Sequence, residues 1–199
     1  MAEDFALAIA KEGRDFEALF RFRYRIYVEE MNRFQKYADP NTKQIRDPLD
    51  VHAFNIVAWR SDVIVGCVRV NLCHNSDVGY YSDILRMRDV GDDFPGRSSL
   101  CTRLMVRSDF RRSSLACRLS IAALSVGLEN DVVWNFIDGN DHLVPFFSRL
   151  GFEKTHEVVH EEYGRVNAMR LNIRLPSRLA DLQRTFGRTD SAGTLVAAA

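Results

Sequence analysis

No run of about 18 apolar residues, the length a helix needs to cross a bilayer, occurs in the 199-residue sequence. The apolar stretch at residues 5 to 10 is too short for a secretory signal core and lacks its basic flank. A cytoplasmic protein without stable membrane insertion is expected. Cysteine is sparse as well: Cys67, Cys73, Cys101 and Cys117 show no C-x-x-C spacing, so they read as reduced core thiols, not as disulfides or a zinc site. His52, His74, His142, His156 and His160 lack ligand spacing, and no metal is expected. Net charge is missing too. The 27 basic and 27 acidic residues cancel, which excludes an overall field for nucleic acid and confines any electrostatic partner to a local patch.

What is present is ordinary in bulk, with 46% apolar and 27% charged residues, the profile of a folded globular domain. The length fits one domain, drawn at residues 1 to 186, with a mobile tail at residues 187 to 199 that has nothing to bury. Apolar positions Phe16, Leu19, Phe20, Ile26, Tyr27 and Met31 predict an amphipathic helix over residues 15 to 31, with Arg23 on the apolar side. Two Asp-Pro steps, at Asp39 and Asp47, predict a long structured loop over residues 32 to 50. Strand patterns follow at residues 53 to 59 and 63 to 72, joined by Arg60-Ser61-Asp62 as a hairpin. Beyond an irregular excursion with a short helix at residues 81 to 87, a strand at 100 to 106, a polar turn, a helix from Leu115 to Val126 and a buried strand at 132 to 137 imply a parallel crossover. A short helix at residues 141 to 150 stopped by Gly151, paired strands near 153 to 160 and 165 to 175, and a small helix at 176 to 186 complete a mixed α/β sheet.

Two features point to chemistry. Between the strand ending at Val106 and the helix starting at Leu115, small and basic residues gather at a helix N-terminus, where backbone N–H groups and the helix dipole can hold a phosphate. A basic turn that only caps a helix would look the same. Arg23, Arg69 and Arg103 each stand among apolar neighbours, and buried guanidinium groups need carboxylates or a ligand. Asp47 and Asp50 are the candidate carboxylates, and three arginines against two aspartates leave donors for substrate oxygens. An ion-pair network that merely fixes the first helix to the sheet is the alternative.

The phosphate segment resembles the Arg/Gln-x-x-Gly-x-Gly/Ala loop of the GCN5-related N-acetyltransferase (GNAT) superfamily, with Arg111, Ser114 and Ala116 at its three defining positions. Phe146-Phe147-Ser148-Arg149-Leu150-Gly151-Phe152 is similar to the closing Tyr-x-x-Leu-Gly-Phe of the same superfamily. The resemblance implies a twisted, mostly antiparallel mixed sheet flanked by helices, and thioester binding by Met105, Val106, Arg111, Arg112, Ser113, Ser114, Leu115 and Ala116. Ser114 in place of glycine suits a phosphopantetheine arm; Phe147 stands where many relatives carry a tyrosine that protonates the leaving thiolate.

Arg23 with Tyr27, Asp47-Pro48-Leu49-Asp50, Cys67-Val68-Arg69 and Thr102-Arg103-Leu104 resemble the signature of acyl-homoserine-lactone synthases and long-chain N-acyl amino acid synthases. Leu100 occupies the place of the glutamate proposed as base in lactone synthases, which turns the resemblance toward the N-acyl amino acid branch. It implies that Arg23, Asp47, Asp50, Arg69 and Arg103 serve catalysis, that acyl carrier protein (or acyl-coenzyme A) brings the acyl group on phosphopantetheine as co-substrate, that an amino acid such as tyrosine accepts it, and that no cofactor is tightly bound. Arg107, Arg111, Arg112, Arg118 and Arg149 would face the acidic carrier, and His142 is either a base or a surface histidine. The competing expectations are an acetyl-coenzyme A acetyltransferase of a small amine or lysine, and a non-catalytic ligand-binding module of the same fold.

Overall fold

The structure, a computed structural model, describes residues 5–175. The helix expected at residues 176 to 186 and the tail at 187 to 199 lie outside the described residues. A seven-stranded sheet organises the chain in the order β1-β4-β5-β6-β7-β9-β8. Its strands are β1 (Ala6–Ile9), β4 (Ala53–Arg60), β5 (Val63–Leu72), β6 (Ser98–Val106), β7 (Trp134–Gly139), β8 (Glu153–His160) and β9 (Gly164–Asn172); β2 (Ala38–Asp39) and β3 (Gln44–Ile45) form a separate small hairpin. Every pairing in the large sheet is antiparallel except β6 with β7. The helices are α1 (Arg14–Tyr24), α2 (Tyr81–Ile84), α3 (Leu115–Glu129) and α4 (Val144–Arg149).

The β-branched run of β5 and its alternation with β4 favour strands buried on both faces. On one face, α3 buries Leu115, Leu119, Ala122, Ala123 and Val126 against Val68, Val70, Ile137 and Met169. Each leucine so buried contributes roughly 1.5–3 kcal/mol. The helix lies directly on β5, since a Cβ at Gly66 would stand 2.9 Å from Leu119 Cδ1 and 3.1 Å from Leu115 Cδ2. On the other face, α1 buries Leu19, Phe20 and Phe22 over Val57 and Cys67, and α2 packs Tyr81 beside Leu100 and Phe136.

Several elements depart from the sequence pattern. The single helix expected at residues 15 to 31 is α-helical only to Tyr24 and continues as a π-helix over Arg25–Glu30, closed by Met31 N–H donating to the Ile26 carbonyl at 3.0 Å. Widening the turn shifts the facing of later residues, a change that apolar spacing does not disclose. The last strand ends at Asn172, not 175, and β6 begins at Ser98, where Ser98 and Ser99 pair with Trp134 and Asn135. The helix expected at 141 to 150 is a 3₁₀ turn at Asp141–Leu143 followed by α4, and Gly151 stops it with φ 98°. Edge strand β1 had no strand signal of its own; four residues suffice because β4 offers a ladder. Cys67, Cys73 and Cys101 are buried, and burial pushes the Cys73 and Cys101 thiols up to about 12. Cys117 is half-buried, not a core thiol, because its position on α3 turns away from the sheet.

Candidate active site

The parallel pair β6–β7 holds together at only three positions, Ser98–Trp134, Ser99–Asn135 and Leu100–Phe136. Beyond them the strands part. A cleft of about 520 Å³ opens between them, lined on one side by Tyr27, Arg103, Leu104 and Met105 and on the other by Ile137, Asp138, Phe146 and Val166. Its volume lies within the range of small-molecule sites, ~300–1,000 Å³. Opposite the cleft the β5–β6 register slips, so that Val68 faces both Arg103 and Leu104, and Arg103 takes φ 59°. Such a bulge takes backbone amides out of the ladder, here beside the cleft.

Behind the bulge, Arg23, Asp47, Asp50, Arg69 and Arg103 converge. The Asp-Pro step that ends the long loop makes this possible: Pro48 starts a 3₁₀ turn, Leu49 N–H donates to Asp47 Oδ1 at 3.0 Å, and Asp47 N–H donates to Asp50 Oδ2 at 3.1 Å, a capping box that turns both carboxylates inward. Arg23, fully buried at 0% exposure, donates from one terminal nitrogen to both Asp50 oxygens at 2.8 and 2.7 Å and from the other to Asn55 Oδ1 at 2.8 Å. Arg69, also at 0%, reaches Asp47 at 2.9 Å and Asp50 at 3.3 Å, and donates from Nε to Thr102 Oγ1 at 3.0 Å. Arg103, 5% exposed, contacts Asp47 at 3.0 Å and Glu162 at 3.7 Å, donates to Gln35 Oε1 and lies over the Tyr27 ring.

Burial alone would push the Asp47 carboxyl up, but Arg69 and Arg103 together hold it well below the usual carboxylate range. Among the described residues, Arg23 Nε, one terminal nitrogen of Arg69 and Arg103 Nε have no hydrogen-bond partner. The Arg23 and Arg69 donors are sealed from the cavities, however. Arg103 lines the cleft, and Asp47 lines a second cavity of about 290 Å³ with Tyr80, Tyr81 and Glu162, whereas Arg23, Arg69 and Asp50 line neither. The five groups divide into two that can touch a ligand and three that hold those two in place.

The phosphate-loop residues do sit at one place, the start of α3. Met105, Val106, Arg111 and Ala116 line the cleft. Ser113 Oγ accepts from Leu115 N–H at 3.1 Å and donates to the Phe110 carbonyl at 2.7 Å, which shapes the turn; Ser114 and Leu115 open the helix and Arg112 is exposed beside it. The basic patch is thinner than the sequence implies, because Arg111 pairs with Glu30 and Arg107 with Asp109. Arg112 and Arg149 remain exposed.

Three residues unannounced by sequence spacing also reach the site. Glu162 N–H donates to His160 Nδ1 at 3.0 Å, which places a neutral ring's proton on Nε2, facing the Tyr80 and Tyr81 hydroxyls. Burial, aided by the Arg103 charge, lowers His160 to about 4, so it is neutral near pH 7. Tyr163 packs at a tilt against Tyr27 and lines the cleft, and Asp138 enters it from β7. His142 lies exposed at the cleft rim. Among the described residues there is no group of three or more His, Cys, Asp or Glu able to hold a metal, and no helix is long and apolar enough to cross a membrane.

Comparison with known proteins agrees with this architecture. The acetyltransferase (GNAT) domain matches residues 22–120. In structure the chain is similar to BjaI, a CoA-dependent acyl-homoserine lactone synthase solved with MTA (20% identity, TM-score 0.70, covering 92% of this chain and 89% of that one). It is also similar to MesI, another CoA-dependent acyl-homoserine lactone synthase (19%, TM-score 0.67, covering 92% and 95%). FeeM, an N-acyl amino acid synthase from uncultured soil microbes, matches with 15% identity and a TM-score of 0.63, covering 85% and 91%. No curated protein matches the chain by sequence. At these identities the structures speak for the fold, and the domain match carries it into the sequence: the chain holds a GNAT domain at residues 22–120 and is an acyltransferase of that fold.

Proposed function

We propose that this acyltransferase moves a long-chain acyl group from a phosphopantetheine thioester, carried by acyl carrier protein, to the amine of an amino acid. The observation that carries the reading is the juxtaposition of an apolar cleft with a buried arginine–aspartate cluster at its floor. On α3, Ala116, Ser120, Ala123 and Leu124 line the cleft on one helix face, so the apolar wall extends about 12 Å from the phosphate loop at 1.5 Å per residue. With Phe146, Phe147, Phe152 and Val166 it offers more greasy surface than an acetyl group needs. Leu100 lies buried against Phe136 and Tyr81, so that position provides no carboxylate for lactone chemistry.

In this mechanism the acceptor's neutral amine attacks the thioester carbonyl directly, with its oxygen polarised by amides freed at the Arg103 bulge. Arg103 takes the acceptor carboxylate, and Asp47 faces its ammonium from the second cavity. Arg23, Asp50 and Arg69 are positioning residues that fix these two. Met105 and Val106 lie along the pantetheine arm, and Arg111, Arg112, Ser113, Ser114, Leu115 and Ala116 hold its phosphate. This reading puts the reaction in the cytoplasm, where carrier protein and free amino acids meet.

Mass spectrometry of lipids from cells expressing the chain tests the reading. A new N-acyl amino acid is expected; acetylated amines alone would favour a short-chain acetyltransferase, and saturable ligand binding without product would favour a binding module. Purified protein supplied with matched carrier-protein and coenzyme A thioesters separates the two donors. Filling the greasy wall gives a further check. Ala123→Leu should lower kcat/KM for a dodecanoyl thioester by about tenfold or more, the scale of a few displaced methylenes, and leave acetyl transfer unchanged. Equal loss on both donors would place the acyl chain elsewhere.

A further inference from the structure

Resting on the acyl-transfer reading, a second inference concerns a carboxylate outside the arginine cluster. Asp138 lies on β7 just past Phe136, the last residue paired with β6, so it stands where the strands have parted. Strand alternation puts it on the face of Trp134 and Phe136, toward Leu100 and Tyr81, opposite Ile137, which packs under α3. It lines the cleft across from Arg103. Arg103 faces it from β6, Tyr80 and Tyr81 from α2, Tyr163 from the β8–β9 turn and His142 from the segment after β7. The Arg103 guanidinium is engaged by Asp47, Gln35 and Glu162. No ion pair holds the Asp138 carboxylate among the described residues. Burial therefore dominates, pushing Asp138 up to about 6 against its own backbone N–H and the pull of Arg103.

Two proton-transfer roles lack their expected side chains at this cleft. Leu100 provides no base, and the Phe147 ring, packed against Phe146 and Phe152 with Gly139 leaving it room, has no hydroxyl to protonate a thiolate. We propose that Asp138 is the proton shuttle of the reaction, taking a proton from the acceptor nitrogen and returning it to the departing sulfur. The acceptor ammonium first loses one proton to solvent. As the C–N bond forms at the thioester carbonyl, the second nitrogen proton passes to the Asp138 carboxylate. The tetrahedral intermediate then collapses, the C–S bond breaks, and protonated Asp138 gives its proton to the thiolate. Amide and thiol are the products, and Asp138 is ionised again.

The test measures transfer from dodecanoyl thioesters of coenzyme A and of acyl carrier protein to each protein amino acid, for the wild-type chain and D138N. D138N should lose about 10²–10⁴-fold in kcat with little change in donor KM. The wild-type kcat should fall on acidification below a midpoint near 6, by about tenfold per pH unit, because protonated Asp138 cannot accept a proton; D138N should lack that limb. A D138N chain within about threefold of wild type, with the limb intact, overturns the shuttle and leaves the synthase reading standing. Wild-type protein that transfers from no thioester overturns the synthase reading and the shuttle with it. If D138N does not melt cooperatively, D138E replaces it: an acidic limb displaced with the moved carboxylate supports the shuttle, and a profile identical to wild type overturns it.

Discussion

Arg103→Ala should lower kcat/KM for acyl transfer by roughly 10³-fold while the chain still melts as one cooperative unit. Arg103 is the single guanidinium of the buried cluster that reaches the cleft. Hydrogen bonds to a charged group contribute about 1.5–3 kcal/mol each, and losing a two-point hold on the acceptor carboxylate amounts to about 4 kcal/mol, or three decades at ~1.4 kcal/mol per decade. The fold should tolerate the change because Asp47 keeps Arg69 at 2.9 Å and its capping bond from Leu49. Arg103→Lys keeps the charge but not the fork, so an intermediate rate with a raised acceptor KM is expected. Steady-state kinetics beside a thermal melt decide it: an Arg103→Ala chain with full activity would remove Arg103 from the site.

Asp50→Ala should destabilise the fold by about 3–5 kcal/mol, the penalty for stripping a buried charge of its partner. Asp50 accepts both strong bonds from Arg23, shares Arg69 and accepts the Asp47 backbone N–H. Without it Arg23 keeps only Asn55, at a position fully shielded from solvent. For a domain of this size ~1 kcal/mol moves the melting midpoint by ~2–4 °C, so a drop of roughly 10 °C is expected. The double variant R23M/D50L, which removes charge and counter-charge together, should lose less than Asp50→Ala alone. Equal melting of wild type and Asp50→Ala in a urea or thermal series would show that Asp50 is not the anchor described here.

Much of this was legible because the signals were local or unusually costly. The β4–β5 hairpin and the β6–α3–β7 crossover follow from period and turn chemistry, and an arginine inside a valine run, as at Arg69, demands a partner whatever the fold. Asp138 escaped notice for the opposite reason: an aspartate before glycine at a strand end reads as the start of a turn, and only the parting of β6 from β7 makes it a cleft residue. The Arg103 bulge and the π-helical stretch of Arg25–Glu30 were invisible too, since each inserts a residue without changing composition. The sealing of Arg23, Arg69 and Asp50 away from both cavities belongs to tertiary packing, which spacing does not encode. The His160–Tyr80–Tyr81 group joins the end of β8 to the start of α2 across roughly 80 residues of chain, and no short-range pattern links them.

The brevity of the β6–β7 pairing divides the labour of the site. Each half of the sheet is continuous in the chain, β1 to β6 before residue 107 and β7 to β9 after residue 133. The five clustered arginines and aspartates belong wholly to the first half, while α3, α4 and the second half contribute most of the greasy wall. The halves meet through three β6–β7 pairs, the Arg103–Glu162 ion pair, the His160–Tyr80–Tyr81 group and the underside of α3. On the proposed reading, the head of the product and its tail are therefore set by different halves of the chain.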